Sequence, residues 1–598
     1  MIEGLPFTIA ALREAYAAGL DPAAVMREVD RRLAAVGDPG IFLARFPLDA
    51  LVEMAAAIGP YDPARPLWGI PFAVKDNIDV AGLETTAACP AFAYSPAADA
   101  FVVALLRAAG AIPVGKTNLD QFATGLVGVR TPYPVPRNAI DPGLVPGGSS
   151  SGSAIVVAHG AVAFALGTDT AGSGRVPAGL NNIVGLKPTL GALSASGVVP
   201  ACRTLDTVSI FALTVDDASA AFAAATGFDA ADPYSRPVAV APPGARPPAP
   251  VVGVPSRESR RFFGDAAQEA SFAASVAALA AAGARVEAVD FAPFFAVAAM
   301  LYEGPWLAER LTVVGPLLDR DPDAVHPVIR AIVAPAGRLS AADAFRGFYR
   351  LEALRREVAP VLDRVDLLCV PTFPNFVSLD EIAADPIEPN ARLGTYTNFV
   401  NLLGLCALAV PTPARRDGRP GSVTLLAAAG RDGLIASLGR EVERWGDRRL
   451  GATGWTVPPV AQTATGARPD EIEVAVCGAH MSGLPLNGEL TRLGGRFLRS
   501  LRTEPAYRLY ALAGGPPRRP GLVRESGGAA IAVEVWALPR AAFGDFIAGV
   551  PAPLAIGTVA LADGTRPKGF LCEPAGLVGA EDVTAAGDWR RVATEAVA

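Results

Sequence analysis

The sequence predicts an α/β protein, a mixed β-sheet covered by helices, followed by a smaller α+β domain. Three observations predict it. Between residues 69 and 115 short apolar runs alternate with helical stretches, the rhythm of an α/β sheet. A buried-strand signal, Val162–Gly167, runs straight into a Gly/Ser-rich loop, and ligand sites in such sheets gather where strands end. The chain has 598 residues, too many for one compact domain. A stretch rich in Thr, Pro, Gly and Ala at 446–470 reads as a linker between residues 1–445 and 471–598.

Composition removes several function classes. The formal net charge is −7, which argues against nucleic acid as a partner. Cys89, Cys202, Cys369, Cys406, Cys477 and Cys572 are widely spaced, with no CxxC pair and no His/Cys cluster, so reduced thiols and no metal are expected. No apolar run reaches the ~20 residues of a membrane span. The start, MIEGLPFTIAALREAYAAG, lacks the basic segment and apolar core of a secretory signal. A cytoplasmic protein that needs neither membrane nor cofactor is the expectation.

Near the N-terminus, Ile9–Ala18, capped by Thr8, Ala23–Val36 and Leu48–Ile58 read as amphipathic helices. Their apolar faces suit either packing on the core or pairing of subunits. Ile70–Val74 is an apolar strand that presents Lys75 at its end, Ala98–Ala109 a helix, and Ala111–Gly115 a strand. Lys116–Asn138 is loop-rich, and its Gln121 is a candidate for the wall of a substrate pocket. The proline-rich patch Pro237–Pro255 reads as a surface connection. At its end VVGVPS begins a strand, and beyond it come a helix at Ala266–Ala282, a strand at Val286–Phe291, and a charged helix over 340–363. Strands in Val365–Pro374, Thr395–Val410 and Val423–Ala427 close the sheet, and Ala436–Trp445 is a last helix. In the tail, IEVAVCGAH, AYRLYALAG, AAIAVEVWAL and KGFLCEP read as strands and Gly488–Leu501 as a helix.

The chemistry concentrates in Pro142–Gly191. Two small-residue loops, Gly147–Ala154 and Asp169–Gly174, each set serine among glycines. Glycine loops let backbone N–H groups approach a ligand closely. A phosphate cradle is one reading, but neither G-x-x-x-x-G-K-[ST] nor G-x-G-x-x-G occurs. A nucleophile elbow is another, since Gly148–Gly152 matches G-x-S-x-G around Ser150. It needs a histidine base, and the chain has only His159, His326 and His480, none well placed. A serine nucleophile with a lysine base is the third. Ser150, Ser151 and Ser153 suit caps for the helix after them.

Three motifs together decide among these. GIPFAVKDNIDV (Gly69–Val80), GGSSSGSA (Gly147–Ala154) and GTDTAGSGRVPAG (Gly167–Gly179) resemble, in that order, the lysine, first-serine and nucleophile motifs of the amidase signature family. The resemblance implies the amidase signature fold for residues 1–445 and a Ser–Ser–Lys triad. In it Ser173 is the nucleophile, Ser149 the bridging serine and Lys75 the base. It also implies a cis peptide before Ser149 and an oxyanion hole from the backbone N–H groups of Thr170, Ala171, Gly172 and Ser173. Lysine accepts a proton only when neutral, so its ordinary pKa of about 10.4 must fall through burial or a neighbouring cation. AVAAMLYEGPWLAERL (Ala296–Leu311) is similar to the allophanate hydrolase branch of the family. There a tyrosine and an arginine, here Tyr302 and Arg310, hold the substrate carboxylate, for which the forked donors of arginine are suited. The competing reading pairs Arg310 with Glu303 or Glu309 on a helix surface. Arg175 reads as an ion-pair partner, with substrate contact left open.

The tail resembles the gamma-glutamyl-cyclotransferase-like C-terminal domain of that branch. The LDxxEG-type stretch of the cyclotransferases is missing. The resemblance implies instead that the amidase domain releases ammonia and N-carboxycarbamate, and that the tail promotes decarboxylation. His480 is the one group here suited to proton transfer near neutral pH, and Lys568 and Arg492 are candidates for holding a dianion. The implied context is nitrogen release from urea beside a biotin-dependent urea carboxylase, or from cyanuric acid, by a homodimer. The alternatives are an amidase for another small amide or a glutaminase subunit of a tRNA amidotransferase, with a tail that only docks or oligomerises.

Overall fold

A computed structural model describes residues 2–238, 241–459 and 466–595. It contains two β-sheet bodies. The first is one mixed sheet of eleven strands. These are β1 (Phe42–Arg45), β2 (Pro71–Lys75), β3 (Ile112–Thr117), β4 (Phe164–Asp169), β5 (Val184–Lys187), β6 (Thr207–Ala212), β7 (Val251–Pro255), β8 (Arg285–Val289), β9 (Leu367–Pro371), β10 (Cys406–Thr412) and β11 (Gly421–Ala427). Their spatial order is β1-β3-β2-β4-β6-β5-β10-β11-β9-β7-β8. β2 runs parallel to both β3 and β4, and β7 to both β8 and β9. β4, β6, β5, β10 and β11 alternate in direction. Every residue of β2, β4, β6, β10 and β11 is buried, because helices cover both faces of the sheet.

The N-terminal helices form where the patterning places them, at Ile9–Ala17, Pro22–Val36 and Leu48–Ala57. Thr8 caps the first by accepting from Ala11 N at 3.2 Å, and Asp21 caps the second. Ile9, Leu12, Tyr16, Val25, Met26 and Val29 are buried in the main core, so the apolar faces of the first two helices pack inward. Among the described residues no helix is long and apolar enough to cross a membrane.

The second body has a five-stranded sheet and a three-stranded one. Its strands are β12 (Glu471–Val476), β13 (Arg496–Arg502), β14 (Tyr507–Ala511), β15 (Pro520–Arg524), β16 (Ala532–Pro539), β17 (Leu554–Thr558), β18 (Lys568–Cys572) and β19 (Glu581–Asp582). They lie in the orders β13-β16-β12-β18-β17 and β15-β14-β19. A separate core around Trp536, Val535, Tyr507, Leu509 and Trp589 holds it together.

Several expectations need correction. The helix expected over Gly488–Leu501 is a short helix, Asn487–Arg492, and then β13. Gly494, at φ +77°, breaks it, and the β-branched and aromatic run of β16 pairs with Arg496–Arg502. β1 was not foreseen; a strand of four residues has too little period to read. The strand expected to begin at VVGVPS does form, as the buried β7 at the end of the proline-rich patch. In the expected linker 446–470, Leu450 is buried and Arg449 forms a β-bridge with Thr456. That part therefore folds onto the first body; residues 460–465 lie outside the described residues.

Candidate active site

Lys75 closes β2, and Thr168 and Asp169 close β4, its parallel neighbour. Parallel pairing puts both C-terminal ends on one edge of the sheet, and stacked Phe72 and Phe164 (centroids 5.1 Å apart) lock the register below them. The helix Ser151–Ala158 packs over these strands and delivers the serine loop to the same edge. Lys75 Nζ donates to Ser149 Oγ at 2.8 Å, Ser150 Oγ at 2.9 Å and Thr168 Oγ1 at 2.8 Å. The Gly148–Ser149 peptide is cis.

Lys75 is fully buried, and burial brings its pKa down to about 7 against the opposing pull of Asp120, Asp206 and Asp169. Its three near neighbours are neutral hydroxyls, so no bonded carboxylate locks the proton on. Burial thus favours the free amine that a base requires.

The nucleophile loop is held from one side. Asp169 accepts from Gly172 N at 3.0 Å and Gly174 N at 2.9 Å, and takes two parallel bonds from Arg175 Nε and Nη2, each 2.9 Å. Arg175 is thus the ion-pair partner that its position suggested. Asn401 Nδ2 donates to Asp169 O at 2.8 Å and to Leu205 O at 3.0 Å, and Thr170 Oγ1 donates to Asp206. Burial raises the Asp206 carboxyl to about 6, against bonds from Thr170, Cys202 and Ala201 that favour its charged form. Gly172 sits at φ +135°, and a Cβ there would lie 2.5 Å from Thr397 Oγ1.

One expected oxyanion donor needs correction. The N–H of Gly172 is committed to Asp169. The N–H groups of Thr170, Ala171 and Ser173 take no partner among the described residues and are available for an oxyanion.

A second loop joins nucleophile, relay and Arg310. Ser173 Oγ donates to Gly125 O at 3.4 Å. Gly148 N donates to Leu126 O at 2.8 Å and Asp120 N to Ser149 O at 3.0 Å. Thr124, next to Gly125, accepts at Oγ1 from Arg310 Nη1 at 3.1 Å. Arg310 lies on the helix Trp306–Arg320, only 2% exposed, with its Cζ 5.6 Å from the Tyr302 ring centroid. Its Nε is buried without a partner among the described residues. Glu309 is occupied by Thr204 N and Oγ1, so the competing surface ion pair with that residue is absent.

Other expectations for this region fall differently. Ser150 bonds Thr168 O, Ser151 bonds Asn118 O and Ser153 bonds Leu166 O. They fasten the helix to the sheet rather than cap it, since Ser150 makes no side-chain cap bond. Gln121 donates to Ala324 O and accepts from His326 N, so it ties a distant segment down rather than offering its amide to a pocket.

In the second body a cavity of about 80 Å³ is lined by Cys477, His480, Glu489, Arg519, Phe546 and Phe570, among others. The His480 ring stacks on Phe570 (5.0 Å, 18°) and meets Phe546 edge-on (5.4 Å, 75°). Its Nε2 lies 2.8 Å from Glu489 Oε2. Burial lowers the His480 pKa, partly offset by Glu489. Lys568 and Arg492 do not line this cavity, and Lys568 Nζ reaches Thr558 Oγ1 on the exposed side of β18. Arg519, not Lys568 or Arg492, is the arginine that lines it.

Reasoning from sequence missed Thr168, Asp206, Thr124, Asn401, Glu489 and Arg519. Only Asp169, six residues before Arg175 inside one motif, carried a local signal for its pairing.

Comparison with known proteins agrees with this layout. Residues 25–435 match the family model for Amidase, and residues 472–594 the model for the allophanate hydrolase C-terminal domain. The urea amidolyase of Saccharomyces cerevisiae is 45% identical over 541 residues, 88% of this chain and 29% of that protein. The chain thus spans under a third of the length of the urea amidolyases it matches. A glutamyl-tRNA(Gln) amidotransferase subunit from Nitratidesulfovibrio vulgaris is 33% identical over 441 residues, 66% of this chain and 88% of that one. The structure of Kluyveromyces lactis allophanate hydrolase superposes with a TM-score of 0.77 at 39% identity, covering 99% of both chains. The chain belongs to the amidase family and carries an allophanate hydrolase C-terminal domain behind its amidase domain.

Proposed function

We propose that the chain hydrolyses allophanate to ammonia and N-carboxycarbamate through Lys75, Ser149 and Ser173, and that the C-terminal domain promotes decarboxylation of the product. The observation that carries this reading is Arg310. It is a buried guanidinium beside Tyr302, with a free Nε and no carboxylate bonded to it among the described residues. It is bonded to the residue just before the carbonyl that accepts from Ser173. A small amide bearing its own carboxylate supplies the missing anion. A neutral amide such as malonamide or biuret leaves the charge uncompensated, which favours an amide that carries a carboxylate over one that does not.

The allophanate carboxylate first meets Arg310 and Tyr302. Neutral Lys75 draws the Ser149 proton as Ser149 takes that of Ser173, and Ser173 Oγ attacks the terminal carboxamide carbon. The carbonyl oxygen turns anionic against the N–H groups of Thr170, Ala171 and Ser173; one such donor is typically worth ~10²–10³ in rate. The amide nitrogen takes the proton back along the relay and leaves as ammonia. Water then cleaves the acyl-enzyme by the same relay and yields N-carboxycarbamate. Its decarboxylation consumes one proton and leaves carbamate, which falls apart to ammonia and carbon dioxide. In the second cavity His480, oriented by Glu489 against Phe570, is placed to give that proton, while Arg519 offers a cation to the dianion.

The test is ammonia release from allophanate by the full-length chain, beside glutamine, malonamide and biuret. Turnover confined to allophanate supports the reading, and Ser173→Ala abolishes it. Activity on another amide alone keeps the serine chemistry and discards the substrate. His480→Asn in the full chain slows carbon dioxide release while the first ammonia still appears at the parent rate. A tail that only docks or oligomerises leaves both unchanged. A cytoplasmic homodimer working beside a biotin-dependent urea carboxylase belongs to the same proposal. The longer urea amidolyase relatives support the carboxylase link, and sedimentation of the purified chain reads the assembly.

A further inference from the structure

The Arg310 guanidinium is aimed by one hydroxyl. Thr124 is 2% exposed, and its Oγ1 accepts from Arg310 Nη1 at 3.1 Å. The single proton of that hydroxyl goes elsewhere, to Phe122 O at 3.1 Å. A hydroxyl has one donor and two acceptor sites, so donation to Phe122 turns the acceptor side of Thr124 toward Arg310. The backbone of Thr124 is itself clamped. Arg130, also buried, donates from Nη1 to Thr124 O at 3.0 Å and from Nη2 to Pro386 O at 2.8 Å. The nearby acids have other partners. Glu309 holds Thr204, and Asp206 accepts from Thr170, Ala201 and Cys202. Thr124 Oγ1 is thus the one hydrogen-bond acceptor that Arg310 meets among the described residues. It occupies one of five N–H groups and leaves the rest of the fork open.

We infer that Thr124 is a positioning residue. Its hydroxyl holds the Arg310 guanidinium in the orientation that receives a substrate carboxylate, and so sets the preference for an acidic over a neutral amide. This rests on the reading of Arg310 as the carboxylate-binding cation. Thr124 also precedes Gly125, whose carbonyl accepts from Ser173. One short segment therefore spaces the carboxylate anchor from the nucleophile and selects substrates with a carboxylate one short linker from the scissile amide.

The experiment uses the full-length chain with Ser173→Ala, so that ligands bind without turning over. Calorimetry compares malonamate, the carbon isostere of allophanate, with malonamide, its neutral counterpart. The parent binds malonamate more tightly. Adding Thr124→Val, which keeps the shape and removes the acceptor, shrinks that preference by about tenfold, the scale of a hydrogen bond to a charged group. Thr124→Ser restores it. In the active enzyme Thr124→Val raises KM for allophanate more than it lowers kcat. Combining it with Arg310→Ala gives no further loss, because the two act through one contact. Equal weakening of both ligands, or a fall in kcat at unchanged KM, overturns the inference, since the hydroxyl would then serve the loop or the nucleophile. A parent without preference for malonamate removes the carboxylate reading of Arg310 and this inference with it. Should Thr124→Val fail to fold, Thr124→Ala and Thr124→Ser read the same ratio.

Discussion

The base role proposed for Lys75 rests on its burial, which predicts a pH profile. In the proposed mechanism the free amine is the active form, and burial brings the pKa to about 7. Activity should therefore rise as pH increases through about 7 and level off above it. A pH series of kcat/KM for allophanate checks this, with a limb near the ordinary lysine value of about 10 as the outcome that would sink the assignment. Lys75→Arg keeps the charge but does not deprotonate, so it should be inactive across the range. The proposed catalytic residues were legible as candidates, because glycine, serine and lysine recur there in three ordered motifs. Their partners were not. Thr168 reaches Lys75 only through the β2–β4 register, and Thr124 reaches Arg310 across 186 residues. Nothing in a local stretch of sequence encodes such a contact. Tyr302 and Arg310 were legible as a candidate pair only through the resemblance of Ala296–Leu311 to the allophanate hydrolase branch, and in the structure Thr204 claims the Glu309 carboxylate that a surface pairing would need.

At the scale of elements, the loop after β4 shows why glycine is placed where it is. Gly172 has a positive φ and faces the Thr397 hydroxyl at a distance no Cβ tolerates. Gly172→Ala should shift the loop and misplace the N–H groups of Thr170, Ala171 and Ser173. A loss of ~10²–10³ in kcat is expected, the scale of one oxyanion donor, with KM little altered. Steady-state kinetics on allophanate reads it, and a variant with parent kcat would show that the loop's shape does not matter. Long amphipathic helices and apolar strands were legible from their period, as Pro22–Val36 and β4 illustrate. Short elements were not. β1 has four residues, and the 487–502 region carries a helical pattern that Gly494 and pairing with β16 divide into helix and strand. Tertiary pairing overrides weak local preference there.

At the scale of the whole molecule, two buried carboxyls tie distant parts of the first body together. Asp217 Oδ1 accepts from Ile9 N at 2.8 Å, joining the first helix to Val215–Ala225, and Glu443 Oε2 accepts from Val215 N at 2.9 Å. Burial raises both to about 7 in the folded chain, against their hydrogen bonds. Between about pH 4 and 7 the folded protein therefore keeps protons that the unfolded chain has released. Their contribution to stability is fully present below about pH 4 and is lost as pH rises through 7. Asp217→Asn, which cannot ionise, should remove its share of that slope, so its Tm relative to the parent should be higher at pH 8 than at pH 5. A pH-independent difference in Tm would refute the raised pKa. The two bodies meet along residues 244–249, where Ala245 N donates to Phe497 O at 3.1 Å and Ala249 N to Ser482 Oγ at 3.0 Å. Proline-rich sequence gave no hint of that role, because a backbone bond to another body leaves no mark on composition. By itself the sequence determined the α/β class, the two-part division, the three motifs with Lys75, Ser149 and Ser173, and the Tyr302–Arg310 spacing. All of these are local patterns of residue type. Tertiary structure alone decided which N–H groups remain free for an oxyanion, which acceptor aims Arg310, and which cation faces His480. Each depends on groups far apart in the chain, which burial forces to find partners in one another.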